Sequence, residues 1–326
     1  MEKISVVVPC YNESTLLRET LKELKKVLDD IAISENYMYE IIFVDDGSED
    51  NTLAVIKELS HDDDAIKYIS FSRNFGKESA MLAGLKYASG DVVIIIDADL
   101  QHPPRLIFDM LHFYEQGYDQ VIAKRTRKGE NFLRKTVTRL YYWIINKLVD
   151  VELVDGIGDY RLLSRRTVNS LLLLTENNRF SKGLFSWVGY SKKVIEYENE
   201  KRLSGKSKWS YKSLLNYAID GLTSFNSKPL RLLIYMGLFV TSLSIVYVGA
   251  SFINILIFGI DMPGYFTLIS AILLIGGLQL ISIGVLGEYV GRIFYEVKQR
   301  PHFIIEQTNV EEMDASYRKI KDFKGV

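Results

Sequence analysis

The sequence has a single cysteine, Cys10. One thiol rules out an intrachain disulfide and any CxxC zinc site, and it fits a reducing compartment. A surplus of either charge is also missing, with 40 Lys and Arg against 41 Asp and Glu and a net charge of −1. A general nucleic-acid binder carries a basic surplus, so no nucleic-acid partner is expected. No G-x-G-x-x-G follows the first apolar run, and no GxxxxGKS/T occurs anywhere. A dinucleotide oxidoreductase and a P-loop NTPase both lose their main support. The N-terminal MEKISVVVPC has far too short an apolar run for a signal peptide. Internal repeats and low-complexity tracts are lacking as well.

Apolar residues are plentiful, at 48% of 326 residues. Such a chain buries enough surface to offset ordering entropy, and its length suggests about two structural units. The hydropathy is unevenly spread. Residues 1–228 read as a soluble α/β domain, whereas 232–260 and 265–287 contain no charged residue. Each run exceeds the ~20 residues that cross a ~30 Å hydrocarbon core. Two transmembrane helices, about 232–260 and 265–290 within a 229–292 hairpin, are therefore expected, joined by DMPG at 261–264. Lys228 and Arg231 precede the first run, Arg292, Lys298 and Arg300 follow the second, and the loop between has no cation. The positive-inside rule then puts both termini, the 1–228 domain and the 293–326 tail in the cytoplasm of a multi-pass cell-membrane protein. Two helices make an anchor, or half of an anchor shared within a homo-oligomer, rather than a transport path.

The soluble part alternates strands and helices. Strands are expected at 3–10, 40–46, 65–72, 91–97 and 119–125. A first helix capped by Asn12 or Ser14 should run to about Asp30, a second should open at Asp50-Asn51-Thr52 and run to Ser60, and others should cover 77–88 and 103–116. Continuously apolar strands and strand–helix repetition predict a largely parallel sheet covered on both faces.

Ligands of such sheets bind beyond the carboxyl ends of the strands. Those ends carry Glu13, the pair Asp45-Asp46, the triplet Asp97-Ala98-Asp99 with Gln101, and the cations Lys124 and Arg125. Carboxylates converging on one edge repel one another, and a divalent cation with oxygen ligands and substrate phosphates relieves that repulsion.

In order along the chain stand VVVPCYNE, VDDGSEDNT, SRNFGK, ASGDVVIIIDADLQHPP, GDYRL and RLSGKSKW, followed by two apolar spans. This ordered set resembles the family 2 glycosyltransferases that act on polyprenyl phosphates, such as the bactoprenol glucosyltransferases and dolichol-phosphate mannose synthases. The resemblance covers residues 3–300. It implies a GT-A, Rossmann-like fold, a nucleotide-sugar donor, Mg²⁺ or Mn²⁺, an inverting transfer and a polyprenyl-phosphate acceptor. Pro9, Tyr11 and Glu13 match nucleotide contacts, and Asp46 matches the carboxylate on the base or ribose. Asp97, Asp99 and Gln101 match the metal and diphosphate site, with Ala98 between them. Arg202 and Lys208 match cations that close over the diphosphate, and Lys77 and Arg125 complete the expected nucleotide-sugar set. Asp159 in GDYRL matches the position of a catalytic carboxylate alongside Asp99, with Arg161 either a phosphate neighbour or a surface residue.

The acceptor side has its own signal. Residues 124–139 hold seven Lys and Arg against one acid. Leu133, Val137, Leu140, Tyr141, Ile144 and Leu148 then form one helical stripe. A basic amphipathic helix at 131–149 suits an anionic bilayer surface, and 210–226 reads as a second interfacial helix. The resemblance implies that Arg134 and Thr138 meet the lipid phosphate. No Q-x-x-R-W occurs, which favours transfer of one sugar over polymerisation. UDP-glucose and UDP-N-acetylglucosamine are the expected donors, for cell-envelope polysaccharide or teichoic acid modification. The alternatives are a different lipid acceptor, such as diacylglycerol, and a non-catalytic membrane scaffold.

Overall fold

The computed structural model describes residues 1–126, 157–177, 179–198, 228–258 and 264–310. Strand β1 (Lys3–Cys10) lies between β2 (Met38–Asp45) and β4 (Val92–Ile95), parallel to both, and β3 (Ile66–Phe71) extends the parallel set beside β2. Helices α1 (Leu17–Glu35), α2 (Thr52–Asp62), α3 (Lys77–Tyr87) and α4 (Leu106–Glu115) connect these strands and lead on to β5 (Gln120–Arg125). Leu17, Leu21, Leu24, Leu28 and Ile31 recur at helical spacing on α1 and are buried with Ile107, Met110 and Leu111 of α4 against Val6, Val8, Ile41, Phe43 and Ile94. Truncating one of these leucines to alanine costs about 2–5 kcal/mol. Helix α3 covers the other face. At Gly84 a Cβ would sit 2.1 Å from Val7 Cγ1, so glycine lets α3 press directly onto β1.

The sheet is mixed, and its order is β7-β5-β6-β4-β1-β2-β3-β8. Strand β6 (Ile157–Ser164) separates β5 from β4 and runs antiparallel to both. This corrects the simple reading of successive parallel strands. Strand β7 (Lys192–Tyr197) pairs parallel with β5 at one edge. After β6, the Ser164 hydroxyl accepts from the Thr167 amide and caps α5 (Arg165–Leu172), and α6 (Ser181–Trp187) follows. At the other edge β8 (Ile305–Thr308) pairs antiparallel with β3. The Phe303 ring stacks on Phe71 at 4.9 Å, and the Ser72 amide donates to the Ile304 carbonyl at 3.0 Å. The segment expected to be a plain tail therefore supplies an edge strand.

The start of α1 differs from expectation. Neither Asn12 nor Ser14 caps it, and Leu16 precedes its first turn without a side-chain cap. Asn12 adopts φ 54°, a left-handed conformation that asparagine tolerates, and its Oδ1 accepts from the Glu49 amide at 2.9 Å. The expected cap instead ties the loop after β1 to the loop after β2.

The described residues fall into two units. The first holds the sheet and α1–α6. The second holds α7 (Lys228–Phe258) and α8 (Tyr265–Lys298), of 31 and 34 residues. Side chains at several positions in both helices lie outside the described residues. Among the described residues, no helix is long and apolar enough to cross a membrane. The expected spans remain a reading of the sequence. The expected interfacial helices at 131–149 and 210–226 lie outside the described residues.

Candidate active site

Strand β2 ends in two buried carboxylates. Asp45 accepts from the Ser48 amide at 3.1 Å and from the Ser70 hydroxyl at 2.8 Å. Asp46 accepts from the Phe75 amide at 2.7 Å and from the Gly76 amide at 2.9 Å. Burial pushes the Asp46 carboxyl up to about 6, against the pull of those two amides. Gly47 completes the turn with φ +65°, where a Cβ would lie 2.3 Å from the Arg73 carbonyl carbon. The DDG turn therefore clamps the 73–76 loop, and that loop delivers Lys77 as the first residue of α3.

The β4–β6 register decides what Lys77 meets. Ile95 pairs with Arg161 at the end of the antiparallel ladder, and just beyond that pair Asp97 and Asp159 reach the same ammonium. The Lys77 ammonium lies 2.6 Å from Asp97 Oδ1 and 2.6 Å from Asp159 Oδ2. Burial would raise both carboxyls, but Lys77 outweighs it and holds each below the usual carboxylate range, aided at Asp97 by His102. Burial likewise disfavours the charged lysine, and the two carboxylates overcome it and raise the Lys77 pKa. Solvent reaches 44% of the Lys77 side chain, so the attraction is screened and weaker than that of a sealed ion pair.

His102 joins the group from the far side. Its Nε2 is 3.4 Å from Asp97 Oδ2, and its Nδ1 is 2.5 Å from the Tyr197 hydroxyl. Burial raises the Tyr197 phenol to about 12, so it stays protonated at neutral pH. Next to Lys77, Glu78 accepts from the Ser181 amide at 3.1 Å and holds the start of α6.

The remaining expected residues sit as follows. Pro9 is buried within β1 opposite Val44, and Tyr11 and Glu13 are half-buried just beyond it. The Glu13 amide donates to the Thr52 hydroxyl at 2.9 Å. Ala98 is buried, and its carbonyl accepts from Thr20 at 2.7 Å. Asp99 Oδ1 accepts from the Gln101 amide at 3.1 Å across Leu100, which is left-handed at φ 55°. Arg125 is exposed at the end of β5, opposite Tyr197 in β7. Arg161 is not a surface residue, because it is 2% exposed, lies 3.8 Å over the Phe185 ring and donates to the Gly158 carbonyl. Arg134, Thr138, Arg202 and Lys208 lie outside the described residues.

The structure therefore brings together Lys77, Asp97, Asp159 and His102, with Asp46 fixing the loop that carries Lys77. Among the described residues no group of three His, Cys, Asp or Glu side chains could hold a metal ion. The donor chemistry of Asp97 and Asp99 still fits a hard cation, because Mg²⁺ is commonly held by one or two carboxylates together with substrate phosphates.

Residues 5–172 match the model of Glycosyl transferase family 2, and residues 228–293 match that of the GtrB C-terminal hairpin. The chain belongs to glycosyltransferase family 2. It is 53% identical over 311 residues to CsbB of Bacillus subtilis (strain 168), whose name calls it a glycosyltransferase, covering 95% of this chain and 93% of that one. It is 43% identical over 308 residues to the SfII prophage-derived bactoprenol glucosyl transferase of Shigella flexneri, covering 94% and 98%. The prophage bactoprenol glucosyl transferase homolog of Escherichia coli (strain K12) is 40% identical over 306 residues, covering 94% and 99%.

Two residues in this glycosyltransferase that the sequence reading did not single out, His102 and Tyr197, contact the candidate site through Asp97, His102 directly and Tyr197 by way of His102. His102 directly follows Gln101 and so had a local signal. Tyr197 had none, because only the β5–β7 pairing brings it there.

Proposed function

We propose that this enzyme moves one sugar from a nucleotide-sugar to polyprenyl phosphate at the inner face of the cell membrane, with UDP-glucose or UDP-N-acetylglucosamine as donor. The observation that carries the reading is the Lys77–Asp97–Asp159 cluster at the carboxyl edge of a family 2 domain. The names of the Shigella and Escherichia relatives support a bactoprenol acceptor and favour glucose.

The reacting bond is simple to state. A phosphate oxygen of the acceptor attacks the anomeric carbon in line, a new carbon–oxygen bond forms, and the bond to the nucleoside diphosphate breaks with inversion. A phosphate monoester has its second pKa near 6, so the nucleophile is already mostly dianionic at neutral pH. It needs orientation more than a base. Asp159 suits orientation of the donor instead, because a carboxyl held low by Lys77 is a weak base but a fixed hydrogen-bond acceptor for sugar hydroxyls, and orientation of the acceptor phosphate falls to cations. Asp97 and Asp99, with Gln101 beside them, would hold Mg²⁺ or Mn²⁺, which when bound offsets the charge that builds on the leaving diphosphate. Lys77, Arg202 and Lys208 supply cations to that same diphosphate, and Pro9, Tyr11, Glu13, Asp46, Ala98 and Arg125 surround the nucleotide-sugar. Arg134 and Thr138 meet the acceptor phosphate.

The apolar runs at 232–260 and 265–287 and the family match at 228–293 support two membrane spans. The described side chains of α7 and α8 agree in character: Phe239, Ile245, Val246, Phe258, Leu280 and Ile283 are all exposed, a costly arrangement in water. The cations flanking the runs support a cytoplasmic side for both termini and the 1–228 domain.

The test supplies purified full-length protein with undecaprenyl phosphate and a panel of UDP- and GDP-sugars, read by mass spectrometry of the lipid. A hexosyl-phospholipid formed from UDP-glucose or UDP-N-acetylglucosamine is the expected product. Transfer to diacylglycerol but not to undecaprenyl phosphate overturns the acceptor.

A further inference from the structure

Lys77 lies between Asp159 and Asp97, and Asp97 is one of the two carboxylates expected to hold a divalent cation. Its ammonium is 2.6 Å from an oxygen of Asp97 and 2.6 Å from an oxygen of Asp159, and the second oxygen of Asp97 faces His102. Both oxygens of Asp97 therefore already have partners before any substrate arrives. We propose that Lys77 is a built-in counter-ion that keeps the nucleotide-free enzyme from taking up a divalent metal, so that metal enters only together with the diphosphate of the donor. The proposal rests on the metal-dependent nucleotide-sugar reading above.

Three features support it. The backbone that carries Lys77 is fixed, because Asp46 accepts from the amides of Phe75 and Gly76 immediately before it. The side chain is not fixed in the same way: it is 44% exposed, on a flexible four-carbon stem with room to swing. Its ammonium can therefore leave the carboxylates for phosphate oxygens, which lysine binds as a point charge. Finally, among the described residues no group of three ligands would hold a metal without help. Phosphate oxygens of the donor supply the missing ligands and at the same time give Lys77 a new partner. Lys182 also acts on Asp159 from α6, so among the described residues removing Lys77 leaves that lysine near Asp159 but no lysine between the carboxylates.

The test reads bound Mn²⁺ by loss of its free electron paramagnetic resonance signal, using full-length protein in detergent with and without UDP. Wild type should bind Mn²⁺ weakly alone and at least about tenfold more tightly with UDP. Lys77→Met should bind Mn²⁺ without nucleotide at least about tenfold more tightly than wild type. Lys77→Arg, which keeps the cation, should stay at the wild-type value. Lys77→Gln repeats the measurement if the Met variant melts early. Equal nucleotide-free affinity in wild type and both neutral variants, with UDP still promoting binding, overturns the counter-ion role and leaves the functional reading standing. No Mn²⁺ uptake by wild type even with UDP overturns both.

Discussion

Asp97 and Asp159, just beyond the last pair of the β4–β6 ladder, share one ammonium, that of Lys77. Asp97 lies two residues beyond the parallel strand β4 and Asp159 lies in the first half of the antiparallel strand β6 beside it, so the two come from distant parts of the chain to one edge of the sheet. The pair is held ionised, which suits positioning and charge compensation better than proton abstraction.

On the proposed reading, Asp99→Asn removes a metal-holding charge beside the donor diphosphate. Transfer should fall by more than about tenfold, or ~1.4 kcal/mol of barrier, while the melting temperature stays near wild type. Steady-state transfer to polyprenyl phosphate measures it. Retained turnover above about a tenth of wild type would remove Asp99 from the metal site.

Asp46 gives a pH signature. Burial raises its folded pKa to about 6, above an unfolded value near 3.9. The folded state then binds this proton more tightly than the unfolded state does. The group's contribution to stability is full below about pH 4 and is lost as pH rises through about 6. Relative to Asp46→Asn, wild type should lose about 2 kcal/mol between pH 4 and 7. Denaturant melts of both proteins across that range provide the measure. A difference that does not change with pH would mean that the carboxyl titrates normally.

Topology is accessible because the native thiol is silent. Cys10 is 2% exposed, and burial followed by the nearby Asp45 raises its pKa. Gly264→Cys therefore supplies the reactive thiol. It should be labelled by an impermeant maleimide only from outside the cell, and a tag after Val326 should be reached only from the cytoplasm. The opposite pattern would invert the hairpin and separate the catalytic domain from cytoplasmic sugar nucleotides.

The edge strand after α8 has a mechanical consequence. Phe303 stacks on Phe71, and Ile304 accepts from the Ser72 amide at the entry to the 73–76 loop. Phe303→Ala should destabilise the catalytic domain by about 2 kcal/mol and speed hydrogen exchange at Ser72. Unchanged exchange at Ser72 would show that β8 does not hold that loop entrance.

The five strand runs of residues 1–125 were legible in the sequence because each is a short, continuously apolar segment between polar turns. The structure places all five within two residues of the expected bounds. The Asp97–Asp99 motif was legible for the same reason: a local carboxylate pattern follows an apolar strand, and an open α/β sheet binds ligands there. The ordered motifs carried the family.

The tertiary structure decided the rest. Strand β6 inserts antiparallel between β4 and β5, and β8 returns to the far edge after two long helices. Such pairings depend on long-range hydrogen bonding that a periodicity of two or 3.6 residues does not encode. Their consequences are concentrated at the site. Asp159 meets Asp97 only through the β4–β6 register, and Tyr197 reaches His102 only because β7 pairs with β5. Lys77 read from its neighbours alone is an ordinary helix-start lysine. Its role as the cation between two carboxylates arises because Asp46, in another loop, fixes the backbone that presents it.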